Sequence, residues 1–179
     1  MSTISIKELS HPAGEVIKIA SGKTLDLNSQ GTLVLPTVPH AKMPSGSVLQ
    51  VVNTNTSTGV ANAGSGWVDT GIVATITPSS TSSKILILVD GQGFEINQAP
   101  MGFSTRLLRG STSLSDFNLY SSYTYANNTT NVGINYLDSP STTSATTYKV
   151  QIVRSGGAGT ANAQANGSMS TITLMEVSA

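Results

Sequence analysis

The sequence predicts an all-β protein in two parts. Residues 1–40 form an N-terminal attachment segment and an intertwined, trimeric, β-prism-like stalk, and residues 41–179 form a jelly-roll-like β-sandwich head. Three observations carry this prediction. Helix formers never recur at a sustained 3.6-residue period, whereas short Val/Ile/Leu/Thr runs alternate with Ser/Thr/Asn/Gly clusters, the pattern of strands joined by turns. Apolar pairs near the N-terminus repeat at a fixed short interval. Only 10% of residues are charged, against roughly 25% in an average globular protein. Ser and Thr together number 49 of 179, so hydroxyl groups rather than charges must keep the surface wet.

In the stalk the apolar pairs are Ile4/Ile6, Ile17/Ile19, Leu25/Leu27 and Leu33/Leu35, and the last three pairs recur every eight residues with Gly- or Ser-containing turns between them. Such a segment cannot recover by its own burial the roughly 1–2 kcal/mol per residue lost on ordering. The regular spacing therefore predicts that Ile17, Ile19, Leu25, Leu27, Leu33 and Leu35 form a core shared with identical copies around one axis. Within this segment Ser21-Gly22-Lys23-Thr24 resembles the end of a phosphate loop. Ile17 stands where such a loop requires glycine, and the residues that follow alternate with period two rather than starting a helix. It is a turn between strands. Pro36-Thr37-Val38-Pro39-His40 then reads as a stiff, extended hinge, because proline fixes φ and removes a donor.

For the head, eight strands are expected: 47–53, 67–77, 84–90, 103–109, 117–125, 132–137, 147–154 and 170–177. Ile85 to Val89 is apolar at five successive positions, which predicts a strand covered on both faces, central in its sheet or buried at a subunit interface. Tyr148 to Val153 alternates and should be half exposed. Residues 53–66 and 155–167 are small, polar and glycine-rich, and are expected as exposed loops, with Asn166-Gly167 as a two-residue hairpin turn. The last strand alternates almost to Ala179, as if tied into a sheet.

Chemistry is sparse. The nine basic residues are scattered and the net charge is zero, so nucleic acid is not an expected partner. No run of about 18 apolar residues exists for a membrane helix, and the N-terminus has no secretory-signal core. His11 and His40 are the only histidines and Cys is absent, which leaves zinc and copper short of ligands; the dispersed acids do not suit Ca²⁺. Any Ser–His hydrolase would have to use one of those histidines, and no G-x-S-x-G elbow is present. Asp69, Asp90, Glu95, Asp116 and Asp138 are the carboxylates from which a glycosidase pair would come. The expectation is a protein without catalytic residues, metal or cofactor. Tyr120, Tyr123 and Tyr125 are the remaining concentration of chemistry. Tyrosine joins a flat apolar face to a polar tip, and these three read either as core or interface residues or as receptor contacts. Trp67 reads as a packing residue.

In order along the chain, residues 17–27 (IKIASGKTLDL), 43–52 (MPSGSVLQVV), 76–89 (ITPSSTSSKILILV), 107–112 (LLRGST), 137–140 (LDSP) and 147–151 (TYKVQ) resemble short fibre proteins of tailed-bacteriophage virions. The resemblance implies a homotrimer on the virion surface, a β-rich stalk and a globular β-sandwich tip, with no cofactor and no catalytic residues. Such fibres carry a long N-terminal tail-attachment domain, whereas here residues 1–20 would have to dock on other virion proteins. A tail fibre that adheres to a host-surface glycan or protein is the first expectation. A capsid decoration or head fibre protein is the alternative, and a carbohydrate-active enzyme the remote third.

Overall fold

The computed structural model describes residues 39–98, 100–117 and 128–179. The expected stalk, with Ile17, Ile19, Leu25, Leu27, Leu33 and Leu35, lies outside these residues, as do Tyr120, Tyr123 and Tyr125.

Pro39 is extended (φ −57°, ψ 142°) and leads into a 3₁₀ turn, His40–Lys42. Ten strands follow: β1 Val48–Thr56, β2 Val60–Asn62, β3 Val68–Ile76, β4 Lys84–Ile96, β5 Gly102–Arg109, β6 Thr112–Phe117, β7 Asn128–Asp138, β8 Thr146–Ser155, β9 Ala161–Ala163 and β10 Ser170–Val177. They form two antiparallel sheets. One runs β1-β10-β4-β7, with β9 and β2 continuing it beside the far half of β4; the other runs β3-β8-β5-β6. This is the expected β-sandwich, and the strand order is that of two interleaved Greek keys, the jelly-roll arrangement.

Alternation sets the layers, because side chains two apart share a face. Ile72, Ala74 and Ile76 from β3, Ile85, Ile87 and Val89 from β4, Tyr148, Val150 and Ile152 from β8, and Ile172 and Leu174 from β10 all point inward and are buried. Phe94 and Phe103 meet between the sheets with ring centroids 5.7 Å apart. The run from Ile85 to Val89 is central, flanked by β10 and β7. Its alternate residues Leu86 and Leu88 are only half-buried, so its second face is only partly covered among the described residues.

Two expectations are corrected. The stretches 53–66 and 155–167 are not merely loops, since β1 runs on to Thr56 and each stretch contributes a short strand, β2 and β9, paired to each other. Their small side chains are what allow it: Ala161 and Ala163 are fully buried, and Asn62 replaces backbone partners by donating to the carbonyls of Gly66 (2.8 Å) and Ile152 (3.1 Å) and accepting from the Gly64 N–H (2.9 Å). Asn166-Gly167 does form a turn with left-handed backbone (φ 57° and 73°) closed by Ser168 N–H to the Ala165 carbonyl. It joins β9 to β10, however, and these strands pair with β4 rather than with each other. Of the expected strand 117–125, only Phe117 is described, and it ends β6.

Candidate functional site

Because β4 spans 13 residues, the head has two ends roughly 40 Å apart. At the stem end the chain enters β1 and its last residues meet it: Gly46 N–H donates to the Ser178 carbonyl and Ser178 N–H to the Ser47 carbonyl, both at 2.9 Å. Two buried carboxylates stitch this end together. Glu176, fully buried, accepts from Ser79 N–H (2.7 Å), Ser79 Oγ (2.6 Å) and Gln50 Nε2 (2.5 Å). Burial alone would raise its pKa. The hydrogen bonds from Ser79, Ser83 and Gln50 outweigh burial, so the carboxyl sits below its ordinary range. Asp138 accepts from Arg109 Nη1 (2.9 and 2.8 Å) and from the Tyr148 hydroxyl (2.7 Å), joining β7 of one sheet to β5 and β8 of the other. Burial, then the hydrogen bond and charge of Asp138, push the Tyr148 phenol far above its ordinary value. A cleft of about 400 Å³ at this end is lined by His40, Met43, Leu49 and the serines 79, 80, 82 and 83. His40 is exposed and makes no hydrogen bond to those serines among the described residues, so it is not paired with them as a base.

The far end is built from small residues. A cleft of about 330 Å³ is bounded by Gly59 to Ala61, Glu95 and the stretch from Asn162 to Gly167. Its one carboxylate, Glu95, is oriented by Asn162 Nδ2 (3.0 Å) and Thr129 Oγ1 (3.4 Å), and its walls are alanine, valine and backbone. Gln164 behind it is fully buried in left-handed conformation (φ 53°, ψ 35°), its N–H donating to the Gln92 carbonyl and its amide to Ser170 Oγ. Such a donor-and-acceptor rim over small apolar walls suits uncharged hydroxyl ligands. Phe117 and Asn128, which bracket the undescribed 118–127, pair with Thr105 and Ile96 towards this end.

The two outer faces differ. On the β3-β8-β5-β6 sheet, Asp69 accepts from Lys149 Nζ (2.8 Å) and Gln151 Nε2 (2.6 Å), Gln151 in turn accepts from Arg106 Nε (2.8 Å), and the Arg106 guanidinium lies 4.4 Å over Trp67. Trp67 therefore packs, half-buried under a cation. Desolvation opposes ionisation of Asp69, but the bonds from Lys149 and Gln151 hold its carboxyl below the ordinary range. The outer face of the other sheet is apolar near the stem end.

Of the carboxylates considered from sequence, Asp69, Asp138, Glu95 and Asp90 fall in separate places; Asp116 lies in the same outer row as Asp69, with Gln151 and Arg106 between them, and accepts from Ser113 Oγ on its own strand. No group of three or more metal-ligating side chains exists among the described residues. The Glu95–Asn162 cleft was not legible beforehand, since its ligating groups come from strands far apart in sequence and its walls read as loop.

No protein-family model matches the chain, and no curated protein sequence does. Among solved structures it is similar to infectious bursal disease virus VP2 in a subviral particle, at TM-score 0.42 and 15% identity over 83% of this chain and 43% of that one. It is likewise similar to the T=1 particles derived from that virus (TM-score 0.43, 14% identity, 83% and 41%) and to its Gx strain (TM-score 0.40, 14% identity, 81% and 41%). The chain thus spans less than half the length of each of these.

Proposed function

We propose that this chain is a structural protein of a bacteriophage virion, a homotrimeric surface fibre whose head adheres to a host-surface glycan or protein. The observation that carries the reading is the polarity of the head. The preceding residues join at the end sealed by Glu176 and Asp138, while the opposite end holds the Glu95–Asn162 cleft. A fibre held by its N-terminal side presents that opposite end outward. Three equivalent weak sites on one particle gain effective affinity through multivalency, and a surface without net charge avoids attracting unrelated polyions.

The reading is tested with the full-length protein. Light scattering should give the mass of three chains, and Leu27→Ser with Leu35→Ser should lower the melting temperature. A folded monomer as the wild-type form refutes the fibre. Fluorescent protein should coat host cells, and Glu95→Gln should reduce coating several-fold; coating unchanged in that variant refutes adhesion through the cleft, and coating unchanged in Tyr123→Ala separately refutes the expected tyrosine contact. Gold-labelled antibody on intact particles should decorate tails. Labelling of heads would establish the capsid-decoration alternative in its place.

A further inference from the structure

Val51, Met175, Leu86 and Leu137 are register partners in one continuous row across β1, β10, β4 and β7. All four lie on the outward side of the sheet; Val51 is 55% exposed and Leu137 52%, while Met175 and Leu86 are half-buried. One level farther from the stem the row reads Asn53, Thr173, Leu88, Asn135, and the next reads Asn55, Thr171, Asp90, Gly133. Apolar character is thus concentrated at the stem-end level and fades along the strands. On β4 it is bracketed by two exposed charges, Lys84 and Asp90, an apolar centre with a charged rim. The opposite outer face has no such row, because its corresponding positions are the linked polar chain of Asp69, Gln151 and Arg106.

We infer that this row is an interface between copies of the chain, closing a single apolar layer around a three-fold axis parallel to the strands, with Val51 of one copy against Leu137 of the next. The inference rests on the trimeric reading above. Thirty-eight residues precede the described head and join it at this end, so subunits associated through them bring these levels together first. The dimensions fit three copies. Four strands about 4.8 Å apart span roughly 14 Å between the outer two, and leaving about 4.8 Å between the edge strands of neighbouring copies at each corner gives a triangle of side about 24 Å with each sheet about 7 Å from its axis, within reach of inward Leu and Met side chains. Facing rows then fill the middle, and the β1 edge of each copy meets the β7 edge of its neighbour. Equivalent Val51 residues then stay roughly 17 Å apart and equivalent Leu86 residues roughly 13 Å apart, beyond the reach of a disulfide.

The chain has no cysteine, so introduced ones report cleanly. In full-length protein, Val51→Cys together with Leu137→Cys should link under oxidised glutathione into a closed covalent trimer, whereas either substitution alone, or Val73→Cys on the other outer face, should remain monomeric on denaturing gels. As a second readout, Val51→Lys with Leu137→Lys should raise the concentration at which the oligomer dissociates at least tenfold, and Val73→Lys should leave it unchanged. Wild-type trimer with no covalent link in the double-cysteine protein overturns this interface and leaves the fibre reading standing. A covalent dimer that links no further overturns the three-fold arrangement. A wild-type monomer overturns both.

Discussion

Replacing Glu176 by glutamine removes a charge that the head buries without a neighbouring cation in its hydrogen-bond set. The carboxylate accepts three short bonds, two from Ser79 and one from Gln50, and through them fixes the connection between β3 and β4 against β10. Glutamine keeps one acceptor for Ser79 but turns an amide N–H₂ towards Gln50 Nε2, so two donors face each other. Losing one charge-assisted bond and weakening the others should cost about 2–3 kcal/mol. For a domain of this size that corresponds to roughly 5–10 °C in melting temperature. The pH dependence supplies the sharper check. Because the folded-state pKa lies below the ordinary 4.5, the wild-type advantage is fully present above that value and is lost as pH falls through the folded-state pKa. Melts followed by far-ultraviolet circular dichroism should therefore show a gap between the two proteins at pH 7 that narrows on acidification. A gap of constant size from pH 7 to pH 3, or none at neutral pH, would refute the claim that an ionised Glu176 holds this end.

Asp138→Ala should cost about 2–3 kcal/mol by denaturant titration, mostly from the fully buried Tyr148 hydroxyl left without a partner; Asp138→Asn, which keeps an acceptor, should cost about half as much. Gly93→Ala should destabilise by about 2–3 kcal/mol, since φ is +67° there and a Cβ would stand 2.8 Å from the Ala165 backbone nitrogen. Ile87→Ala, at the centre of the sandwich and fully buried, should cost about 2–5 kcal/mol, which calorimetry would register as a large fall in melting temperature without change of fold.

Strands that bury one face announced themselves in the sequence. Ser170–Val177 lies where its alternation placed it, and Lys84 begins β4 as read, because a period of two follows directly from a half-buried pleat. The readings failed where burial is done by small or polar residues. In Thr112–Phe117 the apolar residues packed against the core are Leu114 and Phe117, too few to stand out among serines. The strands β2 and β9 bury alanines and an asparagine, which carry no hydrophobic signature. The far extension of β4 from Gly91 to Ile96 lies beyond the expected strand 84–90, because Gly91 and Gly93 interrupt the apolar pattern where the register shifts between Gly91 and Phe94.

The candidate site was less legible than the fold for a related reason. Glu95 and Asn162 stand 67 residues apart and become neighbours only because β9 takes over the edge of β4 that β10 leaves at Ser170. No local pattern encodes that exchange. The outer row of Val51, Met175, Leu86 and Leu137 is the opposite case, since part of it was visible in the unbroken apolar run of β4. Five apolar residues in succession exceed what one buried face requires. The sandwich accounts for Ile85, Ile87 and Val89 and leaves Leu86 and Leu88 half-open to solvent. A strand that needed only an inner face would tolerate Ser or Thr at 86 and 88, as β8 carries Lys149 and Gln151 at its outward positions. The excess is confined to one sheet and centred on one level of it. Leu86→Thr should therefore leave the fold of each head intact while weakening association between copies. A Leu86→Thr protein that unfolds below the wild-type melting temperature yet dissociates at the wild-type concentration would place the demand for leucine inside the subunit instead.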